Sequence, residues 1–233
     1  MNNRNTLLNE LQEKINYKFK NIEFLNTSVT HSSYAKQKNN IKYNERLEFL
    51  GDSVLQLTIT EYLFVNFKNK KEGELTKIRA LIVCENSLYE VALKFDLGKY
   101  LLMSKGEEQT GGRERVSILA DTVEALIAAI YLDQGLNPSK NFILNNFDEI
   151  ITKSLNNKII LDYKTRLQEL IQKNSNKEIT YKLVKHEGPP HKRKFYVKVL
   201  VNEIEFGNGY GYSKKEAEKQ AAKEALRRYE NGE

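Results

Sequence analysis

NERLEFLGDSVL, residues 44–55, carries two carboxylates in the middle of a stretch that is otherwise largely apolar. Glu48 and Asp52 are four residues apart, so on an α-helix they share one face and lie about 6 Å apart along the axis. The apolar side chains around them recur at helical spacing. The pattern predicts a long helix that starts at an N-cap, Asn44, and runs to about Phe67.

A second acidic pair lies in a more apolar segment, SILADTVEALIAAIYLD, residues 117–133. Asp121 and Glu124 are three residues apart and also share one helical face. Carboxylates in helices that otherwise look buried need a positive partner. Carboxylate oxygens are the ligands that hard cations such as Mg²⁺ and Mn²⁺ take. If the two helices lie side by side, four carboxylates meet around one or two metal ions, which suits phosphodiester hydrolysis.

Two other interpretations of the acidic pairs stay open at this point. A single acidic pair at helical spacing is usually a solvated face or an ion-pair partner. Arg46 and Arg79 could also neutralise one or more of the acids without any metal. Spacing alone does not decide between these interpretations and a metal site.

Composition and charge indicate the kind of partner and compartment. The net charge of the 233 residues is +6. From Leu161 onward there are 16 Lys and Arg against 11 Asp and Glu, so nearly all the basic excess lies in the last third of the chain, where a polyanion is the natural partner. The single cysteine, Cys84, and the lack of a signal-peptide pattern or a long apolar run predict a cytoplasmic protein with no membrane partner.

The element pattern changes near Asn156, which divides the chain into two predicted domains, 1–155 and 162–231. The first reads as all-α, with a mobile loop predicted at residues 104–115 because that segment has adjacent glycines and no apolar residue. The second reads as helix, three antiparallel strands, helix. Its predicted elements span residues 163–173, 179–185, 194–201, 203–210 and 213–229. The predicted fold class is therefore α+β overall, an all-α domain followed by a small α-β-β-β-α domain.

Four motifs in the first domain resemble those of the ribonuclease III family. ERLEFLGDSVL (residues 45–55) resembles the family's signature, and ADTVEALIAAIYLDQG (120–135) resembles its second acidic motif. HSSYA (31–35) and EGELTKIRA (72–80) also match in type and order. The likeness extends over nearly the whole chain, and an eleven-residue signature is highly specific.

The resemblance implies roles for individual residues of the first domain. The residues that match the family's four metal-binding acids are Glu48, Asp52, Asp121 and Glu124, and the loss of Asp52 or Glu124 is expected to damage the chemistry most. Glu45 and Glu72 match secondary acids that organise the site or contact RNA. Phe49 corresponds to an aromatic that inserts into a partner subunit, which implies a homodimer; without the resemblance it would read as an ordinary core residue.

The second domain resembles a double-stranded-RNA-binding domain in three elements. Its first helix carries Thr165, Gln168 and Glu169 on one face, where they could reach the minor groove. The loop between the first two strands, HEGPPHKR (186–193), has Gly188, Pro190 and His191 at matching positions. The last helix begins with lysines that would face phosphates, although they oppose the helix macrodipole when nothing is bound. These lysines are Lys214, Lys215 and Lys219.

The sequence thus predicts a magnesium-dependent endoribonuclease, with Mn²⁺ as a substitute metal and no small-molecule cofactor. The resemblance implies that it acts as a homodimer on double-stranded RNA and leaves 5′-phosphate and 3′-hydroxyl ends, in the processing of ribosomal RNA precursors and other transcripts, messenger RNA among them. The alternative is a non-catalytic double-stranded-RNA-binding scaffold, against which the four intact acids argue. A DNA-directed nuclease is a further alternative, since metal–carboxylate chemistry does not distinguish nucleic acids.

Overall fold

A computed structural model of the chain describes residues 2–38, 41–156, 163–174, 178–189 and 193–230. The chain divides into two compact units, Met1–Ile159 (unit 1) and Ile160–Glu233 (unit 2). Unit 1 contains α1 (Asn2–Lys14), α2 (Ile22–Ser28), α3 (Ser32–Ala35), α4 (Glu45–Asn66), α5 (Glu72–Ile82), α6 (Glu85–Lys94), α7 (Leu97–Tyr100), α8 (Lys105–Gln109), α9 (Val116–Gln134) and α10 (Leu136–Leu155). Unit 2 contains α11 (Tyr163–Asn174), β1 (Ile179–Glu187), β2 (Lys194–Val201), β3 (Ile204–Gly211) and α12 (Lys214–Glu230). The predicted fold class is confirmed.

Helix α9 is the centre of unit 1. Its side chains from Ile118 to Ile130 are buried on every face except at Asp121 and Glu124, which are half-buried. A helix that is apolar all round belongs in a core, and α2, α4, α6 and α10 all pack against α9. The two acids of α9 are therefore held on a helix that is buried at the centre of the unit.

Helix α4 lies unusually close to α9 at one glycine. A Cβ atom at Gly51 would overlap the backbone carbonyl of Glu124, so only glycine allows this separation of the two helices. Buried Val54, Leu55 and Ile59 continue the contact of α4 with the core. The contact at Gly51 sets the distance between the two acidic pairs.

The sheet of unit 2 has the order β1-β2-β3, antiparallel throughout. The alternation along β2 buries Val197, Val199 and Val201 on the face that the helices cover. Strand β3 presents glycines to α12, and a Cβ at Gly207 or Gly209 would meet α12 backbone atoms within 3 Å. Helix α12 opposes them with alanines, so strand and helix pack through a seam of small residues.

Strand β3 is an edge strand, and α12 occupies part of its free edge. The amide of Asn208 donates to Oε2 of Glu224 at 2.7 Å, and the amide of Tyr212 donates to Oε2 of Glu216 at 2.7 Å. The side chains thus satisfy donors that would otherwise be open to another strand. These contacts fix β3 against α12 in addition to the small-residue seam.

Three local features differ from what the sequence predicts. In place of the mobile loop predicted at residues 104–115, the chain forms α8 and a 3-10 turn, and Arg113 donates to the carbonyl oxygens of Gly98 and Leu101. Residues 75–95 carry apolar side chains at the spacing of one continuous helix, but the chain breaks between α5 and α6 at Val83 and Cys84. Asn44 precedes α4 as predicted, although its buried side chain makes no capping hydrogen bond. No helix within the described ranges is long and apolar enough to cross a membrane.

Replacing Gly51 with Ala tests the close contact of α4 with α9. The added methyl group would push the helices apart, and overpacking of this kind costs about 1–3 kcal/mol in the free energy of unfolding. The matched control is Gly73→Ala in α5, where no atom lies near the added Cβ and the better helix propensity of Ala should stabilise by up to about 1 kcal/mol. Urea unfolding measures both. Equal effects of the two substitutions would contradict the contact.

Candidate active site

Three carboxylates from α4 and α9 meet beside the contact at Gly51. Glu48, Asp121 and Glu124 each offer one oxygen, and these oxygens lie within 4.8 Å of one another. We call these three residues the acid cluster. All three side chains are half-buried, because they border the apolar core while opening on one side to solvent. Three carboxylate oxygens this close together suit a divalent cation, because such cations take several oxygen ligands.

Asp52 adjoins the acid cluster without being part of it. Nε2 of Gln56, one turn further along α4, donates to both carboxylate oxygens of Asp52, at 3.0 and 3.2 Å. The charge of Asp52 nevertheless raises the pKa values of Glu48 and Glu124. The structure therefore brings three of the four predicted metal-binding acids into one group and holds the fourth at its border.

Burial and repulsion from nearby carboxylates raise the pKa values of all three residues of the cluster. Burial raises the pKa of Glu124 from 4.5 to about 8, and the charges of the neighbouring acids add to the shift. Burial also raises the pKa of Glu48, with contributions from nearby carboxylates. The pKa of Asp121 is raised by burial and by Glu85. The cluster therefore holds negative charge poorly unless a cation accompanies it.

The described Lys and Arg side chains do not provide that charge. Among the residues that the structure describes, no Lys or Arg forms an ion pair with Glu48, Asp121 or Glu124. Arg79, considered above as a neutralising partner, instead donates to Oγ1 of Thr60 at 3.1 Å, and Arg46 is exposed. Three half-buried oxygen ligands that no described Lys or Arg neutralises fit a divalent metal ion.

The predicted secondary acids differ in their relation to the cluster. Glu45, in the first turn of α4, contributes to the raised pKa of Glu48 and so lies near the cluster. Glu72 is exposed on α5 and accepts a hydrogen bond from Thr76 at 2.9 Å. Sequence reasoning missed Glu85, the first residue of α6, which acts on Asp121. Its only sequence signal is an acid at a helix start, and the packing of α6 against α9 gives that acid its place.

One face of α4 away from the core is apolar and exposed. Phe49 is 79% exposed, Leu57 56% and Phe64 72%. At 100° per residue, the three positions fall within about 80° of one another around the helix axis, so the side chains form one stripe. We call this stripe the α4 face. Phe49 therefore lies outside the core, although its residue type alone would predict a core position.

The structure describes some of the residues of unit 2 that the sequence predicts to contact RNA. Lys214, Lys215 and Lys219 are exposed in the first turns of α12, and Gln168 and Glu169 are exposed on α11. Thr165 lies in α11, with its side chain outside the described atoms. Pro190 and His191 lie outside the described residues. The exposed lysines leave cationic charge at the helix N-terminus.

A helical unit with an acid cluster, followed by an α-β-β-β-α unit with exposed lysines, defines a two-domain enzyme of nucleic-acid processing. Residues 21–150 match the family model described as ribonuclease-III-like, and residues 163–229 match the double-stranded RNA binding motif. The chain belongs to the ribonuclease III family. The predicted family and enzyme class are thereby confirmed.

Individual relatives agree with this assignment. Ribonuclease 3 of Clostridium tetani is 62% identical over 223 residues, which cover 96% of this chain and 95% of that protein. Ribonuclease 3 of Clostridium botulinum is 62% identical over 222 residues, covering 95% and 96% respectively. The solved nuclease domain of ribonuclease III from Campylobacter jejuni is 40% identical with a TM-score of 0.57, and the match covers 64% of this chain and 96% of that domain. The likeness thus holds for both sequence and fold.

The raised pKa of Glu124 predicts a pH-dependent cost to stability. A carboxyl group whose pKa is about 8 in the folded protein and 4.5 ordinarily does not lower the free energy of unfolding below pH 4.5, because it is protonated in both states. The cost grows as pH rises between the two values and is complete above pH 8. In EDTA, Glu124→Gln should therefore raise the melting temperature at pH 8 and have little effect at pH 5. A difference from wild type that is the same at both pH values would contradict the shift.

Proposed function

We propose that this chain hydrolyses phosphodiesters of double-stranded RNA at the acid cluster, with Mg²⁺ bound there. The observation that carries the proposal is the group of three half-buried carboxylates that no described Lys or Arg neutralises. A bound divalent ion would offset the charge of the scissile phosphate and lower the pKa of the attacking water. Mg²⁺ is the hard cation that takes such oxygen ligands together with phosphate, and Mn²⁺ would substitute.

Glu48, Asp121 and Glu124 would hold the cation, and Asp52 would complete the set. Because Glu124 has a pKa of about 8 without a cation, its carboxyl group is largely protonated at neutral pH. Cation binding would then release that proton. Asp52 already has one donor, Gln56, which orients both of its oxygens. We assign Asp52 and Glu124 as the catalytic pair, and Glu45 and Glu72 as secondary acids.

Unit 2 would hold the duplex by its shape and phosphates. We propose Lys214, Lys215 and Lys219 as phosphate contacts, because they lie exposed at a helix N-terminus whose amides also favour anions. The first helix and the strand loop would reach minor grooves, as in other duplex-binding domains of this kind. The assigned residues are Thr165, Gln168, Glu169, Pro190 and His191.

The α4 face is proposed as the contact between two copies of the chain. Single exposed apolar residues are common on protein surfaces, but three large ones on one stripe form a patch. Such patches are typical of protein–protein interfaces. One similar solved structure, the nuclease domain from Campylobacter jejuni, shows structural flexibility in a region involved in dimer formation. A homodimer with a two-fold axis at this face would place one acid cluster on each side, so that each copy cuts one strand.

The biological setting belongs to the same proposal. We propose an endonuclease domain at residues 1–155 and an RNA-binding domain at 162–231. The protein would act in the cytoplasm on ribosomal RNA precursors and structured messengers, leaving 5′-phosphate and 3′-hydroxyl ends. The non-catalytic scaffold is the weaker candidate, because a scaffold has no need of three acids gathered at one site with a fourth at its border.

A cleavage assay on a long RNA duplex tests the catalytic proposal. In Mg²⁺, wild type should cut the duplex, EDTA should stop it, and duplex DNA should stay intact. Glu124→Gln removes one ligand and one negative charge, so cleavage should fall by at least about 100-fold while duplex binding persists. The control is Glu90→Gln, an exposed acid paired with Lys153 on α10, which should cut at the wild-type rate. A Glu124→Gln variant that cuts normally would overturn the four-carboxylate mechanism.

Sedimentation of α4-face variants tests the dimer. Phe49→Asp would place a charge in a buried apolar contact, so the variant should sediment as a monomer at concentrations where wild type is a dimer. Leu93→Asp is the matched control, because Leu93 is an exposed leucine on α6, outside the α4 face. If both variants stay dimeric, the α4 face is not the interface.

A further inference from the structure

The outward face of the sheet in unit 2, away from α11 and α12, combines aromatic rings with cations. Strand alternation places its side chains opposite the buried valines of β2. We call it the tyrosine face. Its charged, amide and aromatic residues are Lys182, Lys185 and Glu187 on β1, Lys194, Tyr196 and Lys198 on β2, and Glu205, Asn208 and Tyr210 on β3, with Tyr212 directly after β3; Thr180 and Leu200 lie on the same face.

The rings of the tyrosine face lie close together and open to solvent. The ring centroids of Tyr196 and Tyr210 are 6.2 Å apart, with an angle of 35° between the rings. Tyr210 is 62% exposed and Tyr212 63% exposed. Rings that are exposed to this extent contribute little buried area to the fold. Two of these three rings leave most of their surface to solvent on a stable sheet.

Lysines are interleaved with the rings. Nζ of Lys194 lies 5.9 Å from the ring centroid of Tyr210 and 5.8 Å from that of Tyr212. Nζ of Lys185 lies 4.8 Å from the ring centroid of Tyr196. Two of the four lysines on the face pair with glutamates, Lys185 with Glu187 and Lys198 with Glu205. The face therefore keeps a surplus of two positive charges.

We propose that the tyrosine face binds single-stranded RNA, with bases stacked on the tyrosines and phosphates beside the lysines. Exposed aromatic rings on a sheet, flanked by cations, are the means by which other sheet-based modules hold unpaired bases. Contacts between an exposed lysine and a ring are weaker than base stacking, so a strand would displace the lysines from the rings toward its own backbone. The surplus of positive charge favours a polyanion over an uncharged protein surface.

This site is distinct from the phosphate contacts proposed on α12. Lys214, Lys215 and Lys219 lie on α12, which packs on the other side of the sheet. A structured transcript offers unpaired tails and loops next to its duplex segments. The tyrosine face would therefore give unit 2 a second RNA contact, and binding at it requires no cleavage. Its failure would leave the proposed nuclease activity untouched.

Fluorescence anisotropy with a labelled single-stranded oligouridine, the full chain and EDTA tests the proposal. Tyr210→Ala combined with Tyr212→Ala should weaken binding by at least about 10-fold, because two stacking surfaces are lost. Tyr210→Phe with Tyr212→Phe should bind close to wild type, since the rings remain. Ile204→Ala is the matched control, because it removes an exposed apolar side chain from the same strand. Circular dichroism checks that each variant is folded.

Three results would overturn the proposal. The first is an alanine double variant that binds the single strand as tightly as wild type. The second is an equal loss of single-strand and duplex binding when Lys214→Ala is combined with Lys215→Ala, which would make the α12 lysines a shared site for both ligands. The third is a change of sedimentation in the tyrosine variants without RNA, which would make the face a protein interface.

Discussion

The close approach of α4 and α9 at Gly51 is the contact on which the candidate site depends. Only a residue without a Cβ fits against the Glu124 backbone there. Because the helices are that close, Glu48 from one and Asp121 and Glu124 from the other reach within 4.8 Å of one another. The same contact belongs to the hydrophobic core. Core packing and site geometry are therefore one property of unit 1, and a change to either alters both.

The core also offsets the electrostatic cost of the site. Burial raises the pKa of each of the three carboxylates, and neighbouring acids add to the shift, Glu85 at Asp121 and the other acids of the site at Glu48 and Glu124. An isolated helix with such a cluster would gain from moving it into water. Helix α9 stays in place because its other faces are buried from Ile118 to Ile130. A site that is unfavourable without a cation persists because rigid packing holds it, and the same unfavourable charge favours cation binding.

Much of this arrangement follows from the sequence because the signals are local. Acids at spacings of three and four on apolar helices share a face wherever the helices form, and strand alternation in β2 needs only the sequence of residues 194–201. Tertiary effects escape such reasoning. Gln56 donates to both carboxylate oxygens of Asp52, which lies at the border of the cluster and not in it. Glu85 reaches Asp121 only because α6 packs on α9. The glycines of β3 are needed only because α12 packs closely against them through its alanines.

Polar composition is equally incomplete as a guide at residues 104–115. The segment has no apolar residue, yet Arg113 ties it to the carbonyl oxygens of Gly98 and Leu101, and an ion pair joins Arg115 to Glu107. Charged side chains hold this segment in place, as apolar side chains do elsewhere in unit 1. Phe49 is the converse case, because an aromatic residue beside core positions points to solvent. Residue type predicts burial only after the helix face is known.

The central claim is that the contact at Gly51 assembles a cation site from two helices. Crystals soaked in Mn²⁺ test it most directly, since the anomalous signal of Mn²⁺ locates the ion without reference to activity. The account predicts a peak bound by oxygens of Glu48, Asp121 and Glu124, and the loss of that peak in Gly51→Ala crystals. A peak that avoids these three carboxylates, or one that is unchanged in the Gly51→Ala protein, would contradict it.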